Sequence, residues 1–141
     1  MRVAVVQLTA IVATPPAAEV PPSVTLSTSC KGRHAETLAA DYVAEAGWMI
    51  LERNFRSPGG EIDLVVSKAS ILAFVEVKAV DAYGLESLAS SVNARKRRRI
   101  VETSKLYLAR HREYRGSILR YDVIAVRSGR VEAWLEGAFA E

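Results

Sequence analysis

The stretch "GEIDLVVSKASILAFVEVKAV", Gly60 to Val80, decides the fold. Two runs rich in Val, Ile, Leu and Phe flank "SKAS" (Ser67 to Ser70), which predicts two antiparallel strands joined by a hairpin. Side chains alternate along a strand, so Ile71, Ala73, Val75 and Val77 form an unbroken apolar row on one face of the second run. The other face carries Leu72 and Phe74, then Glu76 and Lys78. Apolar residues on both faces mean that both faces are covered. Leaving a buried charge without its partner costs roughly 3–5 kcal/mol. The strand therefore runs from a dry interior to a polar end.

Setting Val66 against Ile71 places Asp63 opposite Phe74 and Glu61 opposite Glu76. Asp63, Glu76 and Lys78 then share one face, with Asp63 and Glu76 diagonal neighbours roughly 7–8 Å apart at the backbone. Both carboxylates could reach one ion. A one-residue slip would send them to opposite faces.

Upstream, Ala35, Leu38, Ala39, Tyr42, Val43 and Ala46 form one helical stripe that ends at Gly47. Glu36 lies at the margin of that stripe, where a helix laid on the sheet could aim it across the polar end. "WMILERNFR" reads as a strand and "SPGG" as a turn. Downstream, "DAYGLESLAS" is a loop. A second helix spans "SVNARKRRRIVETSKLYLARHREY", capped by Ser91 or Asn93, with Ile100, Val101, Ser104, Tyr107 and Leu108 inward. "ILRYDVIAV" and "VEAWLEGAF" are strands around the turn "RSGR". The order α-β-β-β-α-β-β predicts an α/β fold, a mixed central sheet flanked by helices.

The chain has 141 residues, half of them hydrophobic and a quarter charged, as expected of one folded domain. A single cysteine, Cys30, excludes an internal disulfide framework and a cysteine-rich zinc site. Ten Lys and Arg face two Glu between Ser91 and Arg120. That surplus of eight on a net charge of +3 leaves the rest of the chain acidic by five. Such segregation suggests a polyanion-facing surface, although a solvated helix face has the same signature. Residues 1–29, with four prolines between Pro15 and Pro22, are read as a flexible or poorly specified extension before a domain at 30–141. "VAVVQLTAIVA" follows one charge and is interrupted by Gln7 and Thr9. It makes a weak signal-peptide core and is too short to span a membrane, so a cytoplasmic location is expected.

Glu36, Asp63 and Glu76 supply oxygen ligands suited to Mg²⁺ or Mn²⁺. Such an ion polarises a phosphodiester and activates water, with Lys78 orienting that water or countering phosphate charge. On spacing alone, an amphipathic hairpin with cross-strand Glu–Lys pairs is the favoured reading over a metal site.

"GEIDLVV" followed by "FVEVK" resembles the PD-(D/E)XK, restriction-endonuclease-like fold. Together with "GRHAETLAADYVAEAG", "ILERNFRSPGGEIDLV" and "RYDVIAV", it closely resembles the YraN family of bacterial proteins over about Lys31 to Phe139. Within the superfamily the likeness is greatest to archaeal Holliday-junction resolvases. The resemblance implies a metal-dependent nuclease acting on DNA, branched or otherwise structured, with Glu36, Asp63, Glu76 and Lys78 as the catalytic set. It implies Arg95, Lys96, Arg97, Arg98 and Arg99 as nucleic-acid contacts and a homodimer for cutting two strands. Val80 stands where relatives often carry a basic residue. A nucleic-acid-binding module without catalysis and a protein–protein adaptor are the alternatives. Among other residues, His34, His111 and Cys30 lack partners at metal spacing, and Trp48 and Trp134 read as packing. Tyr83 and Gly84 lie in the loop after the core strand, and Arg53 and Arg56 precede the turn, where a phosphate could sit.

Overall fold

The computed structural model describes residues 28–80 and 88–141. Residues 1–27, and with them nearly all of the expected extension, lie outside the described residues, as do Tyr83 and Gly84. Both helices and all five strands occur where the sequence places them: α1 (Thr28–Glu45), β1 (Met49–Ser57), β2 (Gly60–Lys68), β3 (Ile71–Ala79), α2 (Ala94–Arg110), β4 (Ile118–Arg127) and β5 (Arg130–Phe139). The sheet keeps chain order, β1 to β5, and every neighbouring pair is antiparallel except β3 with β4. A parallel pair needs a crossover, and α2 supplies it.

Each helix covers one face. Ala35, Ala39 and Val43 of α1 pack with Leu64, Val66, Ala73, Val75 and Ile124. Ile100, Val101 and Tyr107 of α2 pack with Val65, Leu72, Phe74, Tyr121 and Val123 on the other face. That double covering explains the apolar residues on both sides of β3. α1 stops at Gly47, whose φ of 83° only glycine adopts readily. Trp48 N–H donates to Val43 O and Gly47 N–H to Ala44 O, a Schellman cap. Asn93 caps α2, its side chain accepting from Lys96 N at 2.9 Å.

The β2–β3 hairpin differs in one respect from the sequence reading. Its turn is the two residues Ala69 and Ser70, so Lys68 pairs with Ile71 and Val66 with Ala73. The register moves by two residues. Parity is unchanged, and the faces stay as expected.

The two-residue turn Ser128–Gly129 has positive φ at both positions, the twist that closes a tight hairpin. Toward the other end of the β4–β5 ladder Asp122, fully buried on β4, accepts two bonds from Arg120 at 2.9 Å, one from Trp134 Nε1 at 2.9 Å and one from Gly137 N at 2.9 Å. The last replaces a ladder bond where the β4–β5 register shifts. Arg120 in turn lies 5.0 Å above the Trp48 ring, and Trp48 and Trp134 are 5.5 Å apart. No helix among the described residues is long and apolar enough to cross a membrane.

Asp122→Ala leaves the Trp134 N–H without its acceptor and the Arg120 guanidinium with Glu136 as its remaining carboxylate partner. The expected cost is about 3–5 kcal/mol. Chemical denaturation followed by tryptophan emission measures it directly, since both tryptophans flank the cluster.

Candidate functional site

β2 and β3 part company at Asp63. Their pairing runs from Lys68–Ile71 to Leu64–Val75 and stops. Ile62 packs in the α2-side core and Leu64 in the α1-side core, so β2 makes a half-turn at the residue between them. Across β1, Asn54 takes φ 52°, a left-handed conformation that Asn tolerates better than most residues. β3 beyond Val75 thus loses its β2 partner on that side, and Asp63 fills the gap: Val77 N donates to its Oδ2 at 2.7 Å.

The fork opens on the α2 face, where Glu76 follows Phe74 and Leu72. Glu76 is 5% exposed. Its Oε1 lies 3.6 Å from Lys78 Nζ and 3.4 Å from Lys96 Nζ. Its Oε2 is buried with no hydrogen-bond partner. A buried carboxylate oxygen left unsatisfied is rare and costly, because desolvation is not offset by any donor. Burial pushes the Asp63 carboxyl up from 3.8 to about 7, helped by the charge of Glu76 and, more weakly, Glu36; the Val77 bond and Lys96 oppose the shift.

Glu36 stands one step back. α1 covers the opposite face of the sheet, so Glu36 reaches round the end of the sheet rather than down onto Glu76. With its amide nitrogen turned toward the acids, Asn54 donates to Glu36 Oε2 and to Glu61 Oε1, each at 3.1 Å. The expected convergence of three carboxylates is therefore reduced to a pair, Asp63 and Glu76, with Glu36 linked through Asn54. Among the described residues, no three His, Cys, Asp or Glu side chains are grouped to hold an ion. The roles of Asn54, Glu61 and Lys96 were missed in the sequence. The one signal was an Asn inside an otherwise regular strand just before "SPGG".

The five consecutive basic residues of α2 do not act together, because each helical step turns side chains by about 100°. Lys96 turns inward to Glu76. Arg97 is tied down as well: its Nε donates to Val92 O at 2.7 Å, and its guanidinium lies 5.6 Å over Phe139. Arg95, Arg98 and Arg99 are exposed. Between α2 and the Pro58–Gly59 turn lies an open groove of about 420 Å³. Arg56, Ser57, Gly60, Glu61, Lys96 and Arg99 line it with those two turn residues. His111 sits at the far end of α2 between Glu52 and Glu113, and Arg53 is exposed.

These features define a mixed α/β domain whose sheet forks onto two acids and two lysines. Residues 35–126 match the model of an uncharacterised protein family, UPF0102. A UPF0102 protein of Rhodopseudomonas palustris is 41% identical over 108 residues, 77% of this chain and 82% of that one. Relatives of the same name in Treponema pallidum (41% identical, 69% of this chain and 77% of that one) and Clostridium botulinum (39%, 67% and 77%) agree. The chain belongs to UPF0102, the YraN family.

An acid with a raised pKa binds its proton more tightly in the folded than in the unfolded chain. The stability Asp63 contributes is therefore fully present below about 3.8 and is lost as pH rises through about 7. In chelator, Asp63→Asn should raise the thermal midpoint above wild type near pH 8 and give little gain near pH 4. Paired melts at the two pH values check the sign.

Proposed function

We propose that this chain is a metal-dependent nuclease of the PD-(D/E)XK, restriction-endonuclease-like type that hydrolyses phosphodiester bonds of DNA. Branched or otherwise structured DNA is the substrate class that the likeness to Holliday-junction resolvases favours, with a homodimer to cut both strands. One observation carries the reading: Glu76 Oε2 is buried and unpartnered beside a second acid, Asp63, whose carboxyl resists ionisation. Two such groups suit a divalent cation. Mg²⁺ and Mn²⁺ are commonly held by one or two carboxylates, completed by water and phosphate oxygens, so a third acid is not required.

Asp63 and Glu76 would hold the ion, which when bound polarises the phosphodiester and lowers the pKa of water. The chain's own groups do the rest. Val77 N–H fixes the Asp63 carboxylate, and Lys78, on the face of Glu76, donates to a phosphate oxygen or to the attacking water. Glu36, through Asn54, braces the strand fork and adds negative charge beside Asp63. The exposed arginines of α2 attract the backbone and make affinity fall steeply with salt. A second reading is a nucleic-acid-binding module without catalysis. Lys78 and Lys96 favour it, since together they already neutralise Glu76.

The test compares wild type with Asp63→Ala, Glu76→Ala and Lys78→Ala on junction, flap and linear DNA with Mg²⁺ or Mn²⁺. Each substitution should slow cleavage by at least about a hundredfold, and calorimetry should show Mn²⁺ binding lost in the two acid variants. Equal cleavage by all four proteins would mean contamination, and the nuclease reading falls. DNA binding without metal binding in wild type selects the second reading.

A further inference from the structure

The groove beside the acids is built rather than incidental. Its width is set by buried contacts between the β1–β2 hairpin and α2. Thr103, fully buried, has its Oγ1 3.0 Å from Ser57 Oγ. A Cβ on Gly60 would lie 3.0 Å from Thr103 Oγ1 and 3.3 Å from Arg99 Cβ, so any larger residue would press the hairpin and α2 apart by a few tenths of an ångström. The result is a fixed channel with three cations, Arg56, Lys96 and Arg99, against one carboxylate, Glu61. Glu61 is already engaged by Arg56 at 3.4 Å. Arg99 has no ion pair among the described residues. Lys96 lines the groove while reaching Glu76, so the groove and the acid pair share a wall.

We propose that this groove binds a backbone phosphate of the nucleic acid, next to the bond presented to Asp63 and Glu76, with Arg99 and Arg56 as its clamp. Lys96 serves both neighbours: it neutralises Glu76 when the groove is empty and turns to the phosphate when it is filled. The inference rests on the nucleic-acid reading above but not on catalysis. Gly59 offers a probe of the channel itself. A Cβ there meets only Ser57 Oγ, at 3.9 Å, so a side chain enters without disturbing the packing.

The experiment measures binding of a labelled DNA duplex by anisotropy across roughly 50–200 mM salt. Full-length wild type, Arg99→Gln, Gly59→Asp and Arg112→Gln are compared, with thermal melts to confirm folding. Arg112 is exposed just beyond the opposite end of α2 and controls for net charge. Arg99→Gln should lower the logarithmic salt slope by about one. Gly59→Asp should weaken binding about tenfold, since it sets like charge against the phosphate. Arg112→Gln should leave both unchanged. If Arg112→Gln and Arg99→Gln lose the same affinity and slope, attraction is diffuse and the groove is no site. If Gly59→Asp binds as tightly as wild type, the channel is not entered. Cleavage by the same proteins separates the readings. Groove-dependent binding without cleavage upholds the groove and removes the nuclease, whereas cleavage with indifferent groove variants does the reverse. No binding by wild type removes both.

Discussion

The hydrogen bond from Val77 N–H to the Asp63 carboxylate is the hinge of this molecule. Where two strands separate, the inner one exposes backbone donors that must find another acceptor. A side chain at the fork supplies it, so the sheet can open without leaving an orphan amide. The opening is what lets Lys96 of α2 reach the buried Glu76, while Lys78 stays partly exposed. Without the half-turn at Asp63, β2 would continue alongside β3 and close the site with more ladder.

That arrangement has an electrostatic consequence. Asp63 is held by its bond to Val77 in a place that disfavours its charge, and Glu76 adds to the difficulty. The protein answers from two directions. Lys78 arrives along the same strand, two residues on, and Lys96 from the first turn of α2. Both reach Oε1 and neither reaches Oε2. The charge of Glu76 is thus answered, but its second oxygen is left without a donor. A site intended only for stability would satisfy both oxygens, as Asp122 does on the other face with four donors from three residues. The two buried acids thus differ in kind: Asp122 is fully hydrogen-bonded, whereas Glu76 keeps one oxygen without a donor.

Much of this was legible in the sequence because it depends on parity. Alternation in "ILAFVEVK" fixes which residues share a face, and the two-residue change of register left that face intact. The basic helix and most of its inward residues were legible for the same reason, a strong period, and Asn93 is one of the two caps the sequence offered. The positions of Glu36 and Lys96 were not. Which face a helix covers depends on crossover connections, and no residue pattern within α1 encodes it. Asn54 was missed because a left-handed residue inside a strand is a departure from periodicity. Hairpin pinning by Gly60 was missed because close approach depends on what lies opposite, far away in the chain.

Lys96 joins these strands of argument. A lysine that neutralises a buried acid loses side-chain freedom and some hydration, and it gives back both if a stronger cation takes the acid. A lysine lining a groove gains when a phosphate enters. In one residue the two gains add. On the proposed reading, a cation at Asp63 and Glu76 would release Lys96 toward the groove, and a phosphate in the groove would draw Lys96 away from Glu76. Each event would lower the cost of the other, and linkage requires the coupling to be reciprocal. Metal and backbone should therefore bind together more tightly than either does alone, through a single ammonium held 3.4 Å from the acid it protects.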